Sequence, residues 1–224
     1  MTSTVATLLR KELLLEIRMR ESVPAMALFS VTVFVVFHFG LDTNVVDGQL
    51  AAGVFWVTML LAALLGINRL FVTDAEQGGF DGFLLAPVDR TALYVAKATA
   101  LLLYLVVVQL VAVPAFTILL LGPSPSQALP ELLAVLALAD IGICVIGTLV
   151  AAIAIRTRAR DLIVPLLTLP LLIPVVLGAS ELTAPLFHEG GAQSLPGRWL
   201  TLIAIYDLLF ALIAYAIFDF LLED

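Results

Sequence analysis

Six apolar runs, each about as long as a bilayer core is thick, constrain this chain more than anything else in it. They cover about Val23 to Leu41, Leu50 to Phe71, Leu93 to Leu121, Leu129 to Ile155, Leu162 to Ser180 and Trp199 to Leu222. A helix needs roughly 20 apolar residues to cross the hydrocarbon core. Inside lipid every backbone N–H and C=O must find its partner within the protein, so runs of this length fold as helices. Composition agrees. Of the 224 residues, 62% are hydrophobic and 13% charged, and the mean hydropathy is +1.14. Soluble domains run at about 45–50% apolar residues. A chain this short has no interior large enough to hide the surplus, so its solvent is lipid over much of its surface. The expected fold class is all-α integral membrane, a single transmembrane domain over 1–224 with no soluble domain.

The short loops orient the bundle. Arg10, Lys11, Arg18 and Arg20 precede the first span, Arg69, Arg90 and Lys97 bracket the second loop, and Arg156, Arg158 and Arg160 fill the fourth. The first loop holds Asp42 and Asp47 with no basic residue, the third holds no charge, and the fifth holds Arg198 alone. Ten of eleven basic residues thus fall on one side, which the positive-inside rule assigns to the cytoplasm. Both termini are expected there. Residues 1–22 read as a charged interfacial helix, with the apolar residues not gathered on one clean face. A net charge of −7 and dispersed basic residues exclude a nucleic-acid-binding surface. The lone Cys144 excludes an internal disulfide, a Cys-x-x-Cys redox pair and covalent haem attachment. No cleavable signal peptide is expected, because the first 22 residues mix acids with bases and no Ala-x-Ala follows the first run.

The longest cytoplasmic loop, 73–89, carries the most structured signal. Gly78 and Gly79 break the chain, Phe80, Phe83 and Leu84 then recur at helical spacing, and Pro87 ends the short helix. Asp81, Gly82 and Leu85 complete it. Asp89 is placed to cap the third span, which begins near Arg90. Such a helix either lies in the interface with its phenylalanines in lipid or docks in a groove of a cytoplasmic partner.

Two carboxylates lie deep in the spans. Asp140 is near the middle of the fourth, and Asp207 a third of the way into the sixth. A charge at a helix centre costs about 2.5–3.5 kcal/mol on insertion scales. The fourth span has fourteen Leu, Ile and Val residues to offset that, so Asp140 inserts but faces protein or water. Neither Lys nor Arg is at hand to pair with it at that depth. Each carboxylate either fixes helix packing or serves a proton or substrate path. Tyr206-Asp207 resembles half of an intramembrane aspartyl protease, but Asp140 lacks the Gly-x-Gly that should precede the second aspartate. Pro165, Pro170 and Pro174 should kink or break the fifth span. Ala62-x-x-x-Gly66 and Gly147-x-x-x-Ala151 offer small faces for close helix contact. His38 and His188 lie at the outer side, as interfacial polar residues or as axial haem ligands. A P-loop requires Gly-Lys-Ser/Thr, but Lys11 follows Arg10 and Lys97 follows Ala96. If ATP drives this chain, the ATPase is a separate polypeptide.

Three stretches give the chain a recognisable character. They are Leu9 to Arg18; Leu65 to Phe71 with Asp81 to Arg90 and Leu93 to Lys97; and Gly147 to Ala152 with Thr157 to Asp161 and the proline-rich fifth span. Together they closely resemble the CcmB family, the membrane subunit of the haem-export or haem-release ABC transporter of cytochrome c maturation. Phe83 departs from the leucine expected there and keeps the helix apolar. The resemblance implies a type-2 ABC exporter-like fold with a coupling helix at Phe80 to Arg90. It implies a bacterial inner-membrane location. It also implies partners: a dimeric ABC ATPase subunit that holds the ATP, a second copy of this chain, a haem-handling membrane subunit that holds the haem, its small helper and a periplasmic haem chaperone. No cofactor is expected on this chain itself. The alternatives are a type-2 ABC permease for another lipid or drug, and a proton-coupled secondary transporter using Asp140 and Asp207.

Overall fold

The computed structural model describes residues 2–41, 45–72, 90–121, 128–155, 157, 159–188 and 195–221. Over these residues the six apolar runs each become one helix, preceded by a shorter amphipathic one. The helices are α1 (Thr2–Met19), α2 (Ser22–Gly40), α3 (Gly48–Arg69), α4 (Arg90–Leu119), α5 (Leu129–Ala154), α6 (Arg160–Thr183) and α7 (Gly197–Leu221). A 3₁₀ turn, Ala184–Phe187, extends α6. Six helices among the described residues, α2 to α7, are long and apolar enough to cross a membrane.

The fifth span departs from expectation in two ways. Of the kink or break expected at Pro165, Pro170 and Pro174, the break is absent: the helix is continuous through all three. Each proline removes a donor to the carbonyl four residues before it. α7 is tied to this span by the Tyr206 hydroxyl, which donates to the Leu171 carbonyl at 2.8 Å. The span also runs past the expected end at Ser180. Glu181 and Thr183 read as loop residues, yet both are satisfied within the bundle. Glu181 accepts from the Gln49 amide at 3.0 Å. Thr183 donates back to the Ala179 carbonyl and accepts from the Trp56 indole at 3.0 Å.

α3 and α5 form the centre, with 67% of their spanning residues buried, whereas α2 and α7 lie at the rim with 17%. Small residues let the centre close. A side chain at Gly147 would collide with Ile67 of α3, and one at Gly66 would meet Met26 and Leu101. Both small-residue faces expected from the sequence are therefore helix contacts. At one end Phe34, Phe55, Phe116 and Phe187 interlock, with centroids 5.2 Å apart for Phe34–Phe116 and Phe55–Phe116 and 5.5 Å for Phe116–Phe187. Tilted aromatic pairs of this kind add to simple burial. At the other end the chain turns from α1 into α2 through Arg20, whose φ of 53° lies in the left-handed region. Its N–H closes on the Glu16 carbonyl at 2.7 Å. The Glu16 carboxylate then caps the next helix, accepting from the N–H groups of Ser22 at 3.0 Å and Val23 at 2.8 Å. One residue thus ends α1 and starts α2.

Candidate functional site at the mouth of the 73–89 loop

The strongest polar constellation lies where α1, the end of α3 and the start of α4 meet. Lys97, seven residues into α4, is 1% exposed. Its ammonium donates to the Glu12 carboxylate of α1 at 2.8 Å and to the Leu70 carbonyl at 2.7 Å. It also sits 5.1 Å from the centroid of the Phe71 ring, a cation–π distance. Leu70 caps the C-terminus of α3, where backbone acceptors lack helical donors and the helix dipole favours a cation. Two turns further along α4, the Tyr104 hydroxyl reaches the backbone carbonyl of Glu12 at 3.4 Å. Lys97 and Tyr104 share one face of α4, so α1 is held to that face at two levels. Glu12 is also 3.3 Å from Lys11. At the surface Arg69 pairs with Glu21 at 3.0 Å, tying the end of α3 to the α1–α2 corner. A cleft of about 470 Å³ opens beneath, lined by Glu12, Glu16, Glu21, Asn68, Arg69 and Tyr104 among others.

The segment between these helix ends is 73–89. Phe80, Asp81, Gly82, Phe83, Leu84, Leu85, Pro87 and Asp89 lie outside the described residues. Arg90 is the first residue of α4 and is half-buried. The described residues therefore give the frame of this loop: Leu70 and Phe71 on one side, Arg90 on the other, and Lys97 gripping the first pair.

The two deep carboxylates are placed differently from each other. Asp140 of α5 is 1% exposed and accepts from the Gln109 side chain of α4 at 2.8 Å. The sequence offers no cation at that depth, and the partner is a neutral amide. Asp207 of α7 is 5% exposed and packs its carboxyl against Gly142 of α5, where any side chain would collide with it, and near Val175 of α6. Neither of its oxygens has a hydrogen-bond partner among the described residues. Its neighbour Tyr206 points to α6, so the Tyr-Asp pair serves helix packing on one side and lies on a glycine on the other.

A family model described as "CcmB protein" matches residues 3–220, nearly the whole chain. The chain belongs to the CcmB family. Its similarity to individual relatives is moderate and extended. Heme exporter protein B of Rhodobacter capsulatus is 34% identical over 134 residues, covering 60% of this chain and 61% of that protein. Heme exporter protein B of Pseudomonas aeruginosa is 34% identical over 171 residues, covering 75% and 73%. That of Paracoccus denitrificans is 31% identical over 160 residues, covering 71% of each. The chain therefore spans about three-fifths of the length of the first of these and nearly three-quarters of the second.

In this CcmB-family chain the residues that sequence reasoning missed are Glu12, Lys97, Tyr104 and Gln109. Lys97 reads as one of the basic residues bracketing a loop, a membrane-edge charge. It is instead in the core. The signal was present: Leu93, Lys97, Leu101, Tyr104, Leu105 and Val108 recur at helical spacing, and all are buried, so the lysine occupies the apolar stripe of α4. The histidines behave as polar residues at the opposite end of the bundle. His38 Nδ1 bonds the Leu119 carbonyl, and His188 Nδ1 lies 3.1 Å from Asp47. No cluster of three metal-ligating side chains is found among the described residues.

Proposed function

We propose that this chain is the membrane subunit of an ATP-driven haem exporter serving cytochrome c maturation. The observation that carries this reading is the family match over residues 3–220, together with relatives named heme exporter protein B that align over most of their length. In this reading a separate dimeric ABC ATPase binds and hydrolyses ATP, and the chain itself performs no chemistry. Two copies pair in the bacterial inner membrane beside a haem-handling membrane subunit, its small helper and a periplasmic haem chaperone. ATP hydrolysis drives haem export or release of the loaded chaperone. The ten-to-one bias of basic residues supports N-terminus-in, C-terminus-in, with Lys97 and the 73–89 loop at the cytoplasmic end. The loop, Phe80 to Arg90, is then the coupling helix of a type-2 exporter-like fold. The buried frame around it supports that role, since a push on a loop moves the spans only if the loop's roots are rigid.

The Gln109–Asp140 bond favours packing over a proton path for that carboxylate, which weighs against a proton-coupled secondary transporter. The test is genetic. Deleting the gene should abolish covalently haem-linked c-type cytochromes, read by haem staining, and a plasmid copy should restore them. Normal haem staining in the deletion strain would remove this reading.

A further inference from the structure

Lys97 does more than fill a helix contact. Its ammonium meets two separate pieces of the chain through three contacts: Glu12 of α1 at 2.8 Å, and the Leu70 carbonyl at 2.7 Å with the Phe71 ring at 5.1 Å. Leu70 and Phe71 are the last turns before the 73–89 segment, and Lys97 is two helical turns after it. α1 has no other route to this segment in sequence, being separated from it by the whole of α2 and α3. Its outer face, Leu14 and Ile17, is exposed, so the grip on α4 is one-sided. Glu12 is the centre of that grip, because its side chain takes Lys97 and its backbone carbonyl takes Tyr104. A buried ion pair is a poor way to gain stability compared with apolar packing, and its best-attested use is to fix registry between elements.

We propose that Glu12 and Lys97 are positioning residues forming a mechanical joint, which makes α1 and both roots of the 73–89 loop move as one unit. The proposal rests on the reading of that loop as the coupling element. A displacement of the loop by a cytoplasmic ATPase then tilts α1 along with α3 and α4. Without the joint the loop still receives the push, but α1, left with the long Tyr104 bond and the surface Arg69–Glu21 pair, follows it far less. An apolar replacement of both residues keeps the buried volume and removes both charges of the pair together, so it removes the joint with the least harm to the fold.

The experiment is hydrogen–deuterium exchange on the full complex with its ATPase in lipid nanodiscs, with and without a non-hydrolysable ATP analogue. In the unaltered complex the analogue should change exchange in peptides from both 73–89 and 2–19. In Glu12→Leu/Lys97→Met the change at 73–89 should persist, while the change at 2–19 falls at least fivefold. Lys97→Met alone, in which Glu12 retains Lys11 beside it, should give the same pattern and serves if the double variant fails to assemble. A response at 2–19 within twofold of the unaltered complex in these variants overturns the joint alone. So does a loop response without an α1 response in the unaltered complex. No response at 73–89 in the unaltered complex overturns the coupling reading itself, and the joint with it.

Discussion

At the scale of single residues, the structure turns on how a few polar groups are satisfied inside a chain that is mostly apolar. Lys97 and Glu12 lean on each other: both are buried, and the Lys97 ammonium donates to the Glu12 carboxylate at 2.8 Å. Removing one partner of such a pair typically costs about 3–5 kcal/mol, whereas replacing both by apolar residues is often neutral. Glu12→Leu alone should therefore lower the thermal unfolding midpoint of the purified protein markedly, and Glu12→Leu/Lys97→Met should recover most of the loss. Equal loss in the single and double variants would show that the pair is not coupled. Asp140 makes the opposite prediction. Asparagine keeps the shape and an acceptor for the Gln109 amide. Asp140→Asn should leave cytochrome c maturation near normal, read by haem staining at equal protein abundance. A loss of maturation at normal abundance would instead assign Asp140 to a proton path.

At the scale of elements, the helices follow from run length, and their ends from which polar residues find partners. The runs predicted all six spans, because in lipid a long apolar segment has only one way to satisfy its backbone. The end of the fifth was misread for the same physical reason in reverse. Glu181 and Thr183 look like loop residues until Gln49 and Trp56 from α3 meet them, and that pairing is tertiary. Lys97 was legible as a misfit in an apolar stripe, but its partner Glu12 lies 85 residues away, and spacing cannot pair them. The loop helix at 80–87 remains a prediction from its own pattern. Phe83→Ala together with Leu84→Ala should release the ATPase subunit or abolish ATP-driven turnover while the spans still insert. Truncating buried anchors of this kind costs about 2 kcal/mol or more, which is about thirtyfold in affinity. Gln77→Ala, outside the helix, is the control and should change little. Retention of stoichiometric ATPase and full maturation in the double variant would leave the loop as a lipid-facing helix.

At the scale of the whole molecule, the two ends of the bundle are built for different work. One end is interlocked by aromatic packing, with four phenylalanines and Trp56 closing it around the 3₁₀ turn. The other is polar and jointed, with α1 strapped across the roots of the longest loop on the basic side. In the proposed reading this architecture transmits force that a separate ATPase supplies. The most direct measurement is therefore affinity purification of the chain from its native membranes in mild detergent, followed by protein identification and quantitation. An ABC ATPase subunit should co-purify in one-to-one ratio with the chain, with ATP hydrolysis in the eluate. A chain that purifies free of any ATPase, from cells in which c-type cytochromes mature normally, would contradict the account at its centre.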